Sequence, residues 1–96
     1  MSEQPQDLAA QTHTMRVVVV TPESSLYDGP ATSVVAPAYD GLVGILPRHA
    51  PFLTILGSGG LLVRAPEGER RYNVAGGFVQ VVDNVVRVVA EQATAA

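Results

Sequence analysis

Apolar positions in this chain come in short, β-branched runs, and none repeats with the spacing of an amphipathic helix. The first, Arg16-Val17-Val18-Val19-Val20, is closed by Thr21-Pro22. Ser25-Leu26-Tyr27 leads into Asp28-Gly29, a dipeptide that reads as a tight turn, and residues 31–36 follow as the next strand. Residues 42–46, 52–56 and 61–64 are three further apolar segments, and 70–74 returns from a turn at Pro66-Glu67-Gly68. Residues 78–82 and 85–90 flank Asp83-Asn84. Short runs bounded by Gly, Pro, Asp or Asn are the signature of strands. With a turn roughly every ten residues, the expected fold is all-β, a sandwich or barrel.

The last hairpin can be read residue by residue. A two-residue turn at Asp83-Asn84 pairs Val82 with Val85, Val81 with Val86, Gln80 with Arg87, Val79 with Val88 and Phe78 with Val89. One face then carries Val79, Val81, Val86 and Val88, a continuous core face. The other carries Phe78, Val82, Val85 and Val89, interrupted by Gln80 and Arg87. A hairpin solvated on one side alternates apolar and polar residues, and this one is mostly apolar on both. Its second face calls for a cover: another part of the chain, or a partner protein.

Residues 1–14 differ from this body in their glutamines, their proline and their lack of periodicity, so a mobile tail is expected there, with the domain over residues 15–91 and a short stub over 92–96. The stub is too short for a stable helix. No secretory signal or membrane-spanning run is recognisable, which makes a cytoplasmic, soluble or peripheral protein the expectation.

Composition narrows the chemistry. The 96 residues include no cysteine, and all six basic residues are arginine, so thiol and lysine chemistry are absent. A net charge of −3 offers no basic footprint for nucleic acid. The acidic residues are scattered, without a spacing suited to a metal ion. A chain this small buries only about 60–65% of its unfolded surface.

Two histidines remain as candidate chemistry. His13 falls in the tail, and His49 lies in a loop bracketed by Pro47 and Pro51. A catalytic reading takes His49 as general base, Asp40 as its orienting carboxylate and Ser58 or Thr54 as nucleophile, the active site of a small β-barrel enzyme or ligand-binding domain. The plainer readings are a loop histidine bonded to backbone, or an interface residue. Gly57-Ser58-Gly59-Gly60 precedes a strand instead of opening a helix, so it reads as a turn and not as a phosphate loop. Gly76-Gly77, between two strands, reads as a sharp bend or bulge. Arg70 and Arg71, following Glu67 and Glu69 around a turn, read as solvated charges with marginal ion pairing.

Several stretches, in order, resemble the F-type ATP synthase ε subunit (δ in mitochondria). They are Val18-Val19-Val20-Thr21-Pro22-Glu23, Tyr27-Asp28-Gly29 and Val34-Val35-Ala36-Pro37, and above all residues 41–51, Gly-Leu-Val-Gly-Ile-Leu-Pro-Arg-His-Ala-Pro. Residues 72–81 and 88–91 close the resemblance, which covers about 15–91. It implies an all-β sandwich of about ten short antiparallel strands. It also implies a non-catalytic central-stalk subunit that binds the γ subunit and the c ring and couples proton-driven rotation to ATP synthesis, without cofactor, metal or nucleotide. Its place would be peripheral, on the cytoplasmic face of the inner (plasma) membrane. By the same resemblance Asp40, Gly41, Leu42, Val43 and Gly44 form a loop towards the c ring. Arg48, His49 and Ala50 form a loop at the rotor-facing end near γ, and Phe78, Val82, Val85 and Val89 are the candidate apolar face for γ. The chain departs from the family pattern at Leu42, where glutamate is common, and at Arg48, where glycine usually precedes the histidine. It also stops at Ala96, short of the C-terminal helical hairpin that carries inhibition and, in some members, ATP binding, so neither activity is expected.

Overall fold

The computed structural model describes residues 13–96; the tail expected over residues 1–14 lies outside them except for its last two residues. Eight strands follow in order: β1 (Met15–Val20), β2 (Ser25–Ala31), β3 (Ser33–Ala38), β4 (Gly41–Ile45), β5 (Phe52–Ile55), β6 (Ser58–Ala65), β7 (Gly68–Val82) and β8 (Val85–Ala95). Pairing runs β2-β1-β8-β7-β6-β3-β4, with β5 added on β7.

This path folds into a sandwich because β7 and β8 are long enough to serve both layers. Their distal halves join β1, β2 and β5; their other halves join β6, β3 and β4. The passage between layers falls at the double glycine. On β7 the buried positions are Tyr72 and Val74 before it and Val79 and Val81 after it, so the inward parity switches across Gly76-Gly77. Both glycines have positive φ, 72° and 108°. A Cβ on Gly77 would collide with the carbonyl oxygen of Val89 on the paired strand. Only glycine permits this corner.

The core between the layers is built from small and β-branched residues: Val17 and Val19 of β1, Val34 and Ala36 of β3, Ile45, Val63, and the hairpin quartet Val79, Val81, Val86 and Val88, all at most 1% exposed. Burying a valine side chain contributes about 1.5–2 kcal/mol, so repetition of valine substitutes for the aromatic bulk this chain lacks. Tyr72 spans the layers, its hydroxyl donating to the Leu26 carbonyl at 3.4 Å; burial raises its pKa.

The all-β sandwich is as expected, with two differences. In place of about ten short strands, the described residues form eight, because β7 and β8 are each continuous through both layers. Nor is every pairing antiparallel: β1 lies parallel to β8, with Arg16 opposite Val85 and Val20 opposite Val89. Nearly the whole chain separates these two strands, so no tight turn dictates their direction.

Three local readings are also corrected. Asp28-Gly29 is not a turn but the interior of β2, paired with Val18 and Val17. Tyr27 makes the pair compatible with a strand by laying its ring over Gly29 and donating its hydroxyl to Pro30 O at 2.6 Å. Ser58–Gly60 opens β6 instead of turning; Gly57 is required because its backbone passes close to Ala38, whose carbonyl oxygen a Cβ would meet at 2.9 Å. Finally, β8 does not stop at Glu91: Ala93 pairs with Val74 and Ala95 with Tyr72, which brings the expected stub into the sheet.

Candidate interaction surface

Register decides which side chains face outward on the first layer. In the β7–β8 hairpin every pair is the one expected, from Val82 with Val85 to Phe78 with Val89. Asp83 and Asn84 make the turn at φ 53° and 64°, the left-handed geometry of a two-residue hairpin loop. Val79, Val81, Val86 and Val88 point into the core, so Phe78, Val82, Val85 and Val89 share the outer face. Phe78 and Val82 are both 39% exposed, and Val85 and Val89 are half-buried.

The neighbouring strands extend this face. On one side β5 sets Ile55 opposite Phe78 and Leu53 opposite Gln80, leaving Leu53 65% and Ile55 61% exposed. On the other side β1 sets Val20 opposite Val89 and Val18 opposite Arg87. An apolar row therefore crosses four strands, Ile55–Phe78–Val89–Val20. Beside it runs a mixed row, Leu53–Gln80–Arg87–Val18–Asp28. Tyr39, Leu53, Thr54, Ile55, Phe78 and Gln80 line a shallow groove of about 690 Å³ at the β5 edge.

Sequence reasoning missed Tyr39, Leu53, Ile55 and Val20 as members of this surface. The segment Phe52-Leu53-Thr54-Ile55-Leu56 is apolar at nearly every position, so periodicity alone does not say which side faces out. Pairing with β7 does.

Of the two loops expected from sequence, residues 40–44 are not a loop beyond Asp40, because Gly41–Gly44 pair with β3 as the body of β4, and residues 48–50 follow the other end of that strand. Asp40 lies in the turn that closes the β3–β4 hairpin, where Ala38 pairs with Gly41. Asp40, Gly41, Leu42 and Gly44 are exposed, Leu42 to 74%, while Val43 packs against the core. At the far end of β4, Leu46-Pro47-Arg48-His49 is a turn closed by the His49 N–H to the Leu46 carbonyl at 3.1 Å. Arg48, His49 and Ala50 are all exposed. The His49 ring nitrogen Nδ1 lies 2.8 Å from the Ala50 carbonyl oxygen, and its ring is tilted against Phe52 with centroids 4.9 Å apart.

No hydrogen bond or ion pair joins His49 to Asp40, Ser58 or Thr54 among the described residues, so the constellation of a general base and nucleophile is not assembled. His49 has the bland partners of a loop histidine, backbone and an aromatic neighbour. No group of three or more His, Cys, Asp or Glu side chains is placed to hold a metal ion among the described residues.

Beside the exposed Arg87, the first layer carries one ion pair. Arg16 grips Asp28 in a fork, Nε to Oδ1 at 3.0 Å and Nη2 to Oδ2 at 2.9 Å. The hydrogen bonds from Arg16 hold the Asp28 carboxyl below its ordinary value, and those bonds with the opposite charge raise the Arg16 guanidinium.

Comparison with known proteins agrees on one family. Residues 14–96 match the family model for the ATP synthase delta/epsilon chain, beta-sandwich domain. An ATP synthase epsilon chain of Leptospira borgpetersenii is 42% identical over 79 residues, 82% of this chain and 62% of the relative. One from Nitrosomonas europaea is 43% identical over 76 residues, 78% of this chain and 54% of the relative. The chain thus spans between half and two thirds of the length of these relatives. Among solved structures, the fold matches a chain of the Euglena gracilis mitochondrial ATP synthase (OSCP/F1/c-ring) with a TM-score of 0.79 at 23% identity, covering 86% of this chain and 54% of that one. It also matches a chain of the Tetrahymena thermophila mitochondrial ATP synthase central stalk/c-ring with a TM-score of 0.70 at 21% identity, covering 83% and 65%.

Proposed function

The chain belongs to the ATP synthase delta/epsilon family through its β-sandwich domain, and from that premise we propose that it is a non-catalytic rotor subunit of the central stalk. In this reading it binds a γ-type subunit with the outer face of its first layer and rests on the membrane ring of c subunits through residues 40–44. It works peripherally, on the cytoplasmic face of the inner (plasma) membrane, and couples proton-driven rotation to ATP synthesis.

The observation that carries the reading is the apolar row Ile55–Phe78–Val89–Val20, left without a covering strand among the described residues, with Leu53 and Tyr39 beside it. A rotor part must not slip under torque, and it meets that demand by stiffness and buried area and not by reactive groups. A close-packed valine sandwich is stiff, and the apolar face, crossed by the Gln80–Arg87 row and bordered by the Arg16–Asp28 pair, combines apolar area with polar groups as protein interfaces do. The exposed Leu42, in β4 next to the 39–40 turn, gives the ring-facing end an apolar side chain, so its contact would be by packing and not by charge.

The test is association. The folded chain mixed with a γ-type subunit at micromolar concentration should elute as a stoichiometric complex, and Ile55→Asp should abolish that elution while leaving the fold intact. Absence of any complex with the unmodified chain would refute the reading.

A further inference from the structure

Asn84 does more than turn the β7–β8 hairpin. Its carboxamide Oδ1 accepts the Arg48 backbone N–H at 2.8 Å, and its Nδ2 donates to the Thr14 carbonyl at 3.0 Å. Its own carbonyl accepts the Arg16 N–H at 3.1 Å. Three segments far apart in sequence, the 46–49 turn, the approach to β1 and the hairpin tip, meet on this one residue. The chemistry needs a carboxamide: one oxygen to accept, one NH₂ to donate, on a short stem. Aspartate would supply only the acceptor and set a carboxylate against the Thr14 carbonyl.

What Asn84 holds is a strained residue. Arg48 has φ 68°, and the only other non-glycine residues at positive φ are Asp83 and Asn84 among the described residues. Aspartate and asparagine tolerate the left-handed region; arginine enters it against a steric penalty. Arg48 follows Pro47 at the third position of its turn, the place where this geometry calls for glycine. The turn therefore needs an external hold, and the Asn84 side chain supplies a hydrogen bond at the strained residue itself.

We propose that Asn84 is the positioning residue of the 47–51 loop: its amide keeps Arg48 left-handed and so fixes where His49 and the start of β5 stand against the first layer. His49 packs on Phe52, the first residue of β5, and β5 carries Leu53 and Ile55 onto the docking face. The clamp is independent of any partner; only its consequence for docking rests on the γ-binding reading above.

Amide hydrogen exchange on the full chain tests the clamp alone. Asn84→Gly keeps the positive φ of the hairpin while deleting both side-chain bonds. It should speed exchange of the Arg48 and His49 amides about tenfold, the worth of one hydrogen bond, and leave Val79 and Val88 as slow as before. Adding Arg48→Gly should return the His49 amide to within about threefold of its original rate, because glycine occupies the turn without help. Asn84→Asp keeps the acceptor and should leave the Arg48 amide within about twofold of wild type, which also carries the test if Asn84→Gly fails to fold. Unchanged Arg48 and His49 exchange in Asn84→Gly, no rescue by Arg48→Gly, or fast Arg48 exchange in Asn84→Asp would each overturn the proposal. With a γ-type subunit present, Asn84→Gly should weaken binding about 5–10-fold and the double variant should recover it. Unaltered affinity would sever the clamp from docking. A wild-type chain that binds no γ-type subunit would refute the functional reading, with the clamp still decided by the exchange rates.

Discussion

On the outer face of the first layer, Ile55, Phe78, Val89 and Val20 form an apolar row that no strand among the described residues covers. On the outer face of the second, Arg64 and Glu69 stand opposite each other, and Glu69 bridges Arg64 at 3.4 Å and Arg71 at 2.9 Å. Both layers are equally apolar inside, so the core does not distinguish them. Their outer faces do: the second joins this ion-pair cluster to half-buried Val35 and Leu62 and the exposed Leu42, whereas the first carries an apolar row continuous across four strands, the row that the proposed reading gives to γ. On the proposed reading, docking uses the side of the sheet that folding does not.

The largest effect on this contrast comes from removing the corner that creates two layers. Gly77→Ala puts a methyl group into the Val89 carbonyl at φ 108°, and should lower stability by about 3 kcal/mol or more in urea denaturation, or prevent soluble folding. A mild loss, below about 1 kcal/mol, would mean that the corner relaxes easily and that the two layers are less tightly defined than described.

Next is a charge placed on each face. Ile55→Asp, on the uncovered side, should weaken association with a γ-type subunit roughly 30-fold or more, the scale of an interface hot spot. Its denaturation midpoint should change little, since Ile55 is already largely solvated. Arg71→Ala, on the other side, should change that affinity less than about twofold and stability by about 0.5 kcal/mol at most. Equal losses of binding from both variants would erase the distinction between the faces.

Smaller again, Arg48→Gly should stabilise the chain by about 1 kcal/mol in thermal unfolding, by removing a left-handed arginine from its turn. A destabilisation would show that the arginine side chain earns its place through contacts.

The smallest effect belongs to the exposed Arg16–Asp28 pair, whose side chains are 57% and 48% solvent-exposed. Because the folded state depresses the Asp28 pKa, its stabilising contribution is present above the ordinary aspartate value of 3.8 and disappears as pH falls through the lower folded value. Wild type should be slightly more stable than Asp28→Asn at neutral pH, and the two should converge in acid and at high salt. A gap that grew on acidification would contradict the assigned direction.

Much of this was legible along the chain. The β7–β8 hairpin could be paired residue by residue because Asp83-Asn84 marks a two-residue loop and valine alternation on either side admits one register. The Gly76-Gly77 bend was readable because two glycines inside a strand pattern have few other uses. Where a local signal had a long-range override, the reading failed. Asp28-Gly29 has the composition of a turn, but Arg16 across the strand holds the aspartate and Tyr27 covers the glycine. Gly57 and its neighbours have the composition of a turn, but Ala38 lies against them. The candidate surface divided in the same way. Phe78, Val82, Val85 and Val89 followed from hairpin register, whereas Leu53, Ile55 and Val20 joined them only through pairings between strands not adjacent along the chain.

The all-β class, the core face of the last hairpin and the excess of apolar residues on its other face are local consequences of alternation and turn chemistry, and the order of residues suffices to derive them. The width of that uncovered face, the parallel meeting of β1 with β8, the placing of Asp40 and His49 at opposite ends of β4 and the grip of Asn84 on Arg48 are of another kind. Each depends on which distant segments come to lie side by side. That is settled by closing one core between two layers, and no window of neighbouring residues contains it.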